Sequence, residues 1–236
     1  MSEIICGDCL KVMKGIEDNS IDCIVTSPPY NKKGLAGDRK IGNNLWKGFR
    51  IDYDEYADNM DEVEYQNWQI EVLNECYRIL NPEGSMFYNH KIRRFNNKAY
   101  FPTWVFNSNF QLYQMIVWDR GNCCDMRDDY LYPTTELIFW LAKDKPKCFK
   151  NQAVFKNEIW KMTPTKAEGH CATYPIELAT NCILLATKEG DTVLDPFVGS
   201  GTTAVAAKQL NREYVGIDIS QHYCDMAKAK IEETLW

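Results

Sequence analysis

The chain has 236 residues, of which 45% are hydrophobic and 25% are charged, which is enough for one globular domain with a full core. A formal net charge of −6 excludes nucleic-acid binding by bulk positive charge, so any such contact must come from local basic clusters. Ten cysteines, without a secretion signal or an apolar run of bilayer length, indicate free thiols in a cytoplasmic protein with no membrane contact.

The chain begins with a predicted short strand, Ile4 to Cys6, and a helix that runs to about Ile16. Between them, Cys6 and Cys9 have the spacing of a CxxC pair. A zinc site needs two further ligands at close spacing, and a thioredoxin-like redox pair has different flanking residues. We therefore expect no metal in this protein.

A second predicted strand, Ile21 to Val25, leads into Thr26 and the tetrapeptide Ser27-Pro28-Pro29-Tyr30. The two prolines fix the backbone and remove two amide donors, so the carbonyls of Ser27 and Pro28 can accept hydrogen bonds from outside the chain. Rigid acceptors beside an aromatic ring suit a planar base that carries an amino group. The alternative is a strand that simply ends at two prolines, which are common in loops.

Residues 31–60 contain four glycines and form a long irregular segment, which we expect to be a mobile loop that folds over a bound base. A helix follows from Val63 to Leu80 and is predicted to end at Asn81-Pro82. Three further strands are predicted, at Met86–Tyr88, Leu112–Trp118 and Glu136–Leu141.

Two basic clusters are candidates for DNA contact, one just after the proline motif and one after the strand that ends near Asn89. Their candidate residues are Lys32, Lys33 and Arg39, and Lys91, Arg93 and Arg94. The second cluster lies among aromatic residues, a mixture that suits phosphate contacts and base stacking. The alternative is a charged loop that caps a buried aromatic helix.

A glycine-rich motif connects a strand, Thr192 to Leu194, to a helix, Ala204 to Leu210. Glycines let the backbone pass close to a ligand, and the helix N-terminus presents unpaired amides to an anion. The next strand ends in Asp218, which lies 19 residues after Gly199, where nucleotide-binding units place a ribose-binding carboxylate. Gly-x-Gly alone is a weak signal, but with Asp195 and Asp218 it indicates a ligand that contains adenosine.

Two more helices are predicted, from Pro175 to Ala186 and from Ser220, the expected N-cap, to Leu235. Strands that alternate with helices predict an α/β fold whose mostly parallel, twisted sheet is covered by helices on both faces.

The two motifs together resemble those of S-adenosylmethionine-dependent DNA methyltransferases that modify exocyclic amino groups. The catalytic motif of that family, Asp/Asn/Ser-Pro-Pro-Tyr/Phe, matches Ser27 to Tyr30, and its cofactor motif, Asp-Pro-Phe-x-Gly-Ser-Gly-Thr, matches Asp195 to Thr202. The catalytic motif comes first here, so the order is circularly permuted and resembles the β class. The resemblance implies a Rossmann-like methyltransferase fold in a single catalytic domain over residues 1–236.

The resemblance also implies that the chain binds S-adenosylmethionine. Asp8 would lie near the adenine, Asp218 would bind the ribose, and Asp195 would bond the ammonium group. The cofactor motif would hold the methionine end through Pro196, Phe197, Gly199, Ser200, Gly201 and Thr202. The alternative for each acid is a helix cap or an ordinary strand end.

For catalysis, the resemblance implies a base flipped out of double-stranded DNA and stacked on Tyr30. The Ser27 side chain and the Pro28 carbonyl, held rigid by Pro29, would accept the two amino protons. Serine in this motif favours cytosine N4, but family members with serine that act on adenine N6 leave both bases open.

Target recognition is expected to rest on a short segment, 150–169, or to be shared by the loops 31–60 and 120–132. The implied setting is restriction–modification. With so little room for recognition, a homodimer or a partner subunit is a further expectation. The alternatives are a protein or RNA amino-methyltransferase, which the motif order opposes for protein substrates, and a non-catalytic nucleic-acid-binding partner, which would be expected to lose one of the motifs.

Overall fold

A computed structural model describes residues 2–31, 39–41, 44–46, 59–95, 98–121, 131–164 and 174–234. The strands are β1 (Glu3–Cys6), β2 (Ile21–Thr26), β3 (Arg39–Ile41), β4 (Asn44–Trp46), β5 (Leu80–His90), β6 (Arg93–Phe95), β7 (Lys98–Tyr100), β8 (Gln111–Asp119), β9 (Thr135–Ala142), β10 (Ile159–Lys161), β11 (Thr192–Asp195) and β12 (Glu213–Asp218). The α-helices are α1 (Cys9–Met13), α2 (Glu62–Ile79), α3 (Ile176–Ala186), α4 (Thr202–Gln209) and α5 (Gln221–Glu233), and a 3-10 helix spans Thr103–Asn107.

Eight strands form one sheet in the order β1-β12-β11-β2-β5-β9-β8-β10. β9 runs antiparallel to both of its neighbours, and the other pairs are parallel. This arrangement confirms the predicted Rossmann-like, mostly parallel sheet. The hairpins β3–β4 and β6–β7 lie outside it.

The sheet is buried on both faces, which explains the continuous apolar run in β2. Ile24 packs in a cluster with α1 and α2, whereas Cys23 and Val25 pack in a second cluster with α3 and α4. Successive side chains of a strand point to opposite faces, so a strand covered on both faces carries apolar residues throughout.

Most element boundaries differ from the predictions by one or two residues, and the larger differences are at α1 and β5. α1 ends at Met13 rather than Ile16. The amides of Gly15 and Ile16 donate hydrogen bonds to the carbonyls three residues earlier, of Val12 and Met13, so the chain continues in a tighter turn than an α-helix. β5 starts directly at Leu80, where the backbone turns from helical to extended, so the predicted break at Asn81-Pro82 does not separate helix from strand.

The segments assigned to a loop and to target recognition are partly described. Within 31–60, the described backbone includes the hairpin β3–β4, and the Asn31 side-chain amide donates to the Met60 carbonyl at 3.0 Å. Within 150–169, β10 extends the sheet, and residues 165–169 lie outside the described part. None of the described helices has the length and apolar character needed to cross a bilayer.

Candidate active site

The two predicted motifs meet at the centre of the sheet. β11 and β2 are parallel neighbours, with Leu194 opposite Ile24, so their carboxyl ends lie side by side. From these strands the chain continues outward in opposite directions, through α4 to β12 and through α2 to β5. Such a switch point leaves a crevice at the strand ends, where ligands of open α/β sheets bind.

A cavity of about 350 Å³ occupies this crevice. Its wall contains Gly7–Leu10, Ser27–Tyr30, Asp195–Ser200, Thr202 and Asp218, so nearly all the predicted catalytic and cofactor residues surround one space. Gly201 is the exception, since it does not line the cavity. Five further lining residues belong to neither motif and were not predicted as site residues, namely Met60, Trp68, Tyr174, Ile219 and Tyr223.

Asp195 is a buried acid that accepts four hydrogen bonds. Thr26 Oγ1 and the Phe197 amide donate to Oδ1 at 2.7 and 3.0 Å, and Thr203 Oγ1 and the Tyr174 hydroxyl donate to Oδ2 at 2.6 and 3.1 Å. Burial raises the pKa of Asp195, and these hydrogen bonds oppose the rise. A carboxylate has about four acceptor positions, so an ammonium bond to Asp195 would have to replace one of these donors.

The glycine-rich turn is fixed against Asp218. The amides of Gly199 and Ser220 donate to the two oxygens of this carboxylate, each at 2.9 Å. Gly201 has a φ of 92°, and a Cβ there would lie 3.0 Å from Ala227 of α5, so only glycine fits. These contacts hold Asp218 at the cavity wall.

Ser200 and Asp8 show how the wall fits an adenosyl amino acid. The Ser200 side chain is buried at the start of α4, and its Oγ has no hydrogen-bond partner among the described residues. Such an orphaned hydroxyl at a helix N-terminus fits a ligand carboxylate. Asp8 accepts from the Lys11 amide at 3.0 Å as the cap of α1, so its predicted alternative role holds, while it also lines the cavity.

The proline motif presents its acceptors unequally. The Pro29 carbonyl accepts from the Tyr65 hydroxyl at 2.8 Å, whereas the Pro28 carbonyl has no donor among the described residues. Ser27 Oγ lies 2.5 Å from the Tyr30 hydroxyl. Both Ser27 and Pro28 line the cavity, and Ser27 Oγ also accepts from Asn89 Nδ2 at 3.4 Å.

Tyr30 is 5% exposed and held from several sides. Its hydroxyl lies 3.3 Å from Glu136 Oε2 and accepts from Asn89 Nδ2 at 3.0 Å. Its ring packs against His90, with centroids 4.6 Å apart, and Lys91 Nζ lies 5.3 Å from the ring centroid. The ring is thus rigidly placed, and only a small part of it is exposed.

His90 is buried next to the proline motif and contacts Tyr65 and Tyr30. Its Nε2 lies 3.0 Å from the Tyr65 hydroxyl, and its Nδ1 lies 2.7 Å from the Lys91 carbonyl. Burial, with the nearby charges of Arg93 and Lys91, lowers the pKa of His90 to about 3. His90 is therefore neutral at physiological pH.

The expectation that Arg93 contacts DNA needs correction. Arg93 is 9% exposed, and its guanidinium makes two hydrogen bonds to Glu62, at 3.0 and 2.6 Å. It also lies 4.7 and 5.5 Å from the ring centroids of Tyr65 and Trp104. For Arg93, the burial and the pair with Glu62 favour the alternative of a charged segment that caps buried aromatic residues over a contact with phosphate.

The other predicted DNA-binding residues are placed differently. Arg94 is exposed and Lys91 is half-buried. Lys32 and Lys33 lie outside the described residues, and the structure describes Arg39 only as the first backbone position of β3.

The CxxC pair is split between surface and core. Cys6 is exposed, whereas Cys9 is buried, and burial raises the pKa of Cys9 to about 12. Within the described ranges, no group of three His, Cys, Asp or Glu side chains could hold a metal ion.

Sequence comparison places the chain among known methyltransferases. A family model described as DNA methylase, N6_N4_Mtase, matches residues 21–229. The Type II methyltransferase M.HpaI of Haemophilus parainfluenzae is 30% identical over 97% of this chain and 74% of its own length. M.HinfI of Haemophilus influenzae is 28% identical over 99% of this chain and 69% of its own length.

Solved structures have the same fold. PvuII DNA methyltransferase, described as cytosine-N4-specific, has a TM-score of 0.76 at 16% identity, over 98% of this chain and 90% of that one. A putative DNA modification methylase from Thermus thermophilus, complexed with S-adenosyl-L-methionine, has a TM-score of 0.71 at 22% identity, over 99% of this chain and 94% of that one. The chain therefore belongs to the DNA methylase family, and it is an S-adenosylmethionine-dependent methyltransferase of the N6/N4 amino-group class.

Proposed function

We propose that the central cavity holds S-adenosylmethionine beside a flipped-out DNA base, and that the exocyclic amino group of this base receives the methyl group. The observation that carries this assignment is that Ser27–Tyr30 and Asp195–Ser200 line one cavity. The Thr26–Asp195 hydrogen bond sets the distance between the two motifs.

The cofactor end of the cavity is assigned from its donors and acids. Asp218 would bind the ribose hydroxyls, Asp8 would lie near the adenine, and Ser200 Oγ with the α4 amides would hold the methionine carboxylate. Asp195 would act mainly by keeping Phe197 and Thr26 in place. The bound cofactor supplies an electrophilic methyl group on a sulfonium.

The acceptor end must activate a poor nucleophile, because the lone pair of an aromatic amine is delocalised into the ring. Ser27 Oγ and the Pro28 carbonyl would accept hydrogen bonds from its two N–H groups. These hydrogen bonds would favour a tetrahedral nitrogen with a directed lone pair. Positive charge that develops on this nitrogen would be stabilised by the same two acceptors. Positioning and preorganised electrostatics account for such catalysis without a covalent enzyme intermediate.

The base is proposed to be cytosine, modified at N4, with adenine N6 as the alternative. Ser27 occupies the first motif position, and a solved structure with this fold is described as cytosine-N4-specific. Both a hydroxyl and a carboxylate can accept amino protons, so the identity of the methylated nucleoside needs a direct measurement.

Target recognition is proposed to use residues 150–169 together with Lys91 and Arg94, in a chain that works in the cytoplasm. The amino-terminal half of β8 exposes Leu112, Tyr113 and Met115, by 37, 47 and 38%. This apolar strand suits a homodimer or a partner subunit, which light scattering on the purified protein would detect.

The test is transfer of labelled methyl from S-adenosylmethionine to unmodified genomic DNA, followed by mass spectrometry of the nucleosides. We expect label in N4-methylcytosine, or in N6-methyladenine for the alternative base, and loss of at least about 100-fold in rate for Ser27→Ala. Label in RNA or protein only, or none, would contradict the proposal.

A further inference from the structure

Glu136 is a buried acid next to the catalytic motif that belongs to neither motif. It lies near the start of β9, the strand antiparallel to β5, and its side chain is 9% exposed. Its Oε2 is 3.3 Å from the Tyr30 hydroxyl and accepts from Asn89 Nδ2 at 2.9 Å. Arg120 Nη1 lies 3.3 Å from the other oxygen, Oε1, so the acid is paired with a positively charged group.

The Ser27 hydroxyl can point in two ways within this network. In the first, Ser27 donates to Tyr30 and Tyr30 donates to Glu136, so Ser27 Oγ is left as an acceptor, for Asn89 Nδ2 at 3.4 Å and for a ligand. In the second, Tyr30 donates to Ser27, and the Ser27 proton must point elsewhere.

The first arrangement makes one more hydrogen bond. The Tyr30 oxygen then accepts from Ser27 and Asn89 and donates its own proton, so all its positions are used. A carboxylate is also a stronger acceptor than a hydroxyl, and this difference grows in a buried site. Glu136 therefore draws the Tyr30 proton away from Ser27.

We propose that Glu136 is a positioning residue, which acts through Tyr30 to make Ser27 a hydrogen-bond acceptor toward the substrate amine. Its charge would set the direction of the hydrogen bonds without touching the substrate. This inference rests on the proposed acceptor role of Ser27. It adds a requirement that is specific to a serine at the first motif position. A serine hydroxyl can donate as well as accept and must be turned toward accepting, whereas an ionised carboxylate at that position can only accept.

The test is a double-mutant cycle of Glu136→Gln and Tyr30→Phe, measured by single-turnover methyl transfer to DNA. Gln keeps the shape of Glu but can turn an N–H toward Tyr30, which would reverse the Ser27–Tyr30 bond. We expect E136Q to lower the rate constant by about tenfold or more in the parent enzyme and by less than about twofold in the Y30F background. Cofactor affinity and the KM for DNA should stay within about twofold.

Glu75→Gln is the matched control, because Glu75 is also paired with an arginine, Arg78 at 3.0 Å, on α2. It should leave the transfer rate unchanged. A thermal melt shows whether E136Q is folded, and Glu136→Asp takes its place if it is not, because the shorter acid retains charge but withdraws from Tyr30.

An equal loss in both backgrounds, no loss, or a loss confined to KM or cofactor affinity would overturn the role of Glu136. If instead the parent enzyme transfers no methyl to DNA, the proposed function itself fails. The two failures are therefore distinguishable in the same assay.

Discussion

Thr26 and Asp195 lie 169 positions apart in the chain and are joined by a buried hydrogen bond of 2.7 Å. Thr26 ends β2 immediately before the proline motif, and Asp195 ends β11 and begins the glycine-rich motif. The bond thus connects the part of the site assigned to the methyl acceptor with the part assigned to the donor.

Removing this hydroxyl should weaken both stability and cofactor binding. Thr26→Val keeps the shape but leaves Asp195 with three donors, so we expect a loss of about 1–3 kcal/mol in the free energy of unfolding. Affinity for S-adenosylmethionine, measured by calorimetry, should fall about tenfold. Thr26→Ser keeps the hydroxyl and is the control, and an equal effect of both variants would show that methyl packing matters instead.

Ser200→Ala should have opposite effects on the free and the bound protein. The Ser200 hydroxyl is buried without a partner in the described part of the chain, so its removal should leave the free energy of unfolding unchanged or slightly raise it. Affinity for S-adenosylmethionine should nevertheless fall by about tenfold, because a hydrogen bond to its carboxylate is lost.

Methylthioadenosine, which lacks the carboxylate, provides the comparison for this variant. Its affinity should be the same for Ser200→Ala and the parent protein. A parallel loss for both ligands would mean that Ser200 shapes the cavity rather than binds the carboxylate.

His90 should make the protein less stable in mild acid. Its pKa is about 3 in the folded protein against an ordinary value of 6.5, so between these values the unfolded chain takes up a proton that the folded chain does not. Stability should fall as the pH drops below 6.5, by up to about 1.4 kcal/mol per pH unit from this group. Urea unfolding between pH 7 and 5 measures the slope.

His90→Gln should be less stable at pH 7 but should lose this part of the slope. His222, which is exposed on α5, offers the control, and His222→Gln should retain the slope of the parent protein. A slope unchanged by His90→Gln would contradict a buried neutral histidine.

Substitutions of the adjacent Arg93 and Arg94 should have different effects, the first on stability and the second on DNA binding. Arg93→Met breaks the pair with Glu62 and removes a buried guanidinium that packs against the rings of Tyr65 and Trp104, so it should lower the melting temperature by several degrees. Arg94→Met should leave the melting temperature nearly unchanged and reduce the salt dependence of DNA binding by about one phosphate contact. The reverse outcome would restore the original expectation for Arg93.

The motifs could be located from the sequence because their chemistry is local. Two prolines before Tyr30 fix the backbone, and Gly199 and Gly201 permit the tight turn that follows β11. A parallel sheet then brings the ends of these strands to one edge. The long apolar strands β2 and β9 were predictable for the same reason, since burial on both faces requires apolar residues throughout.

Residues that act from other elements left no such signal. Glu136 and Asn89 lie in strands whose neighbours are set by a long-range antiparallel pairing, and only that pairing brings them to Tyr30. Arg93 looked like a surface cation because its partner, Glu62, is 31 positions earlier. Strands of three residues, such as β10, are too short to show a period.

The hydrogen bond between Asn31 and Met60 joins two positions that lie 29 residues apart in the chain, at the two ends of the glycine-rich segment. The entropic cost of closing a loop grows only slowly with its length, so the number of residues between these positions should have little effect on the free energy of unfolding. Insertions or deletions between these two positions should therefore leave the folding of the central sheet nearly unchanged.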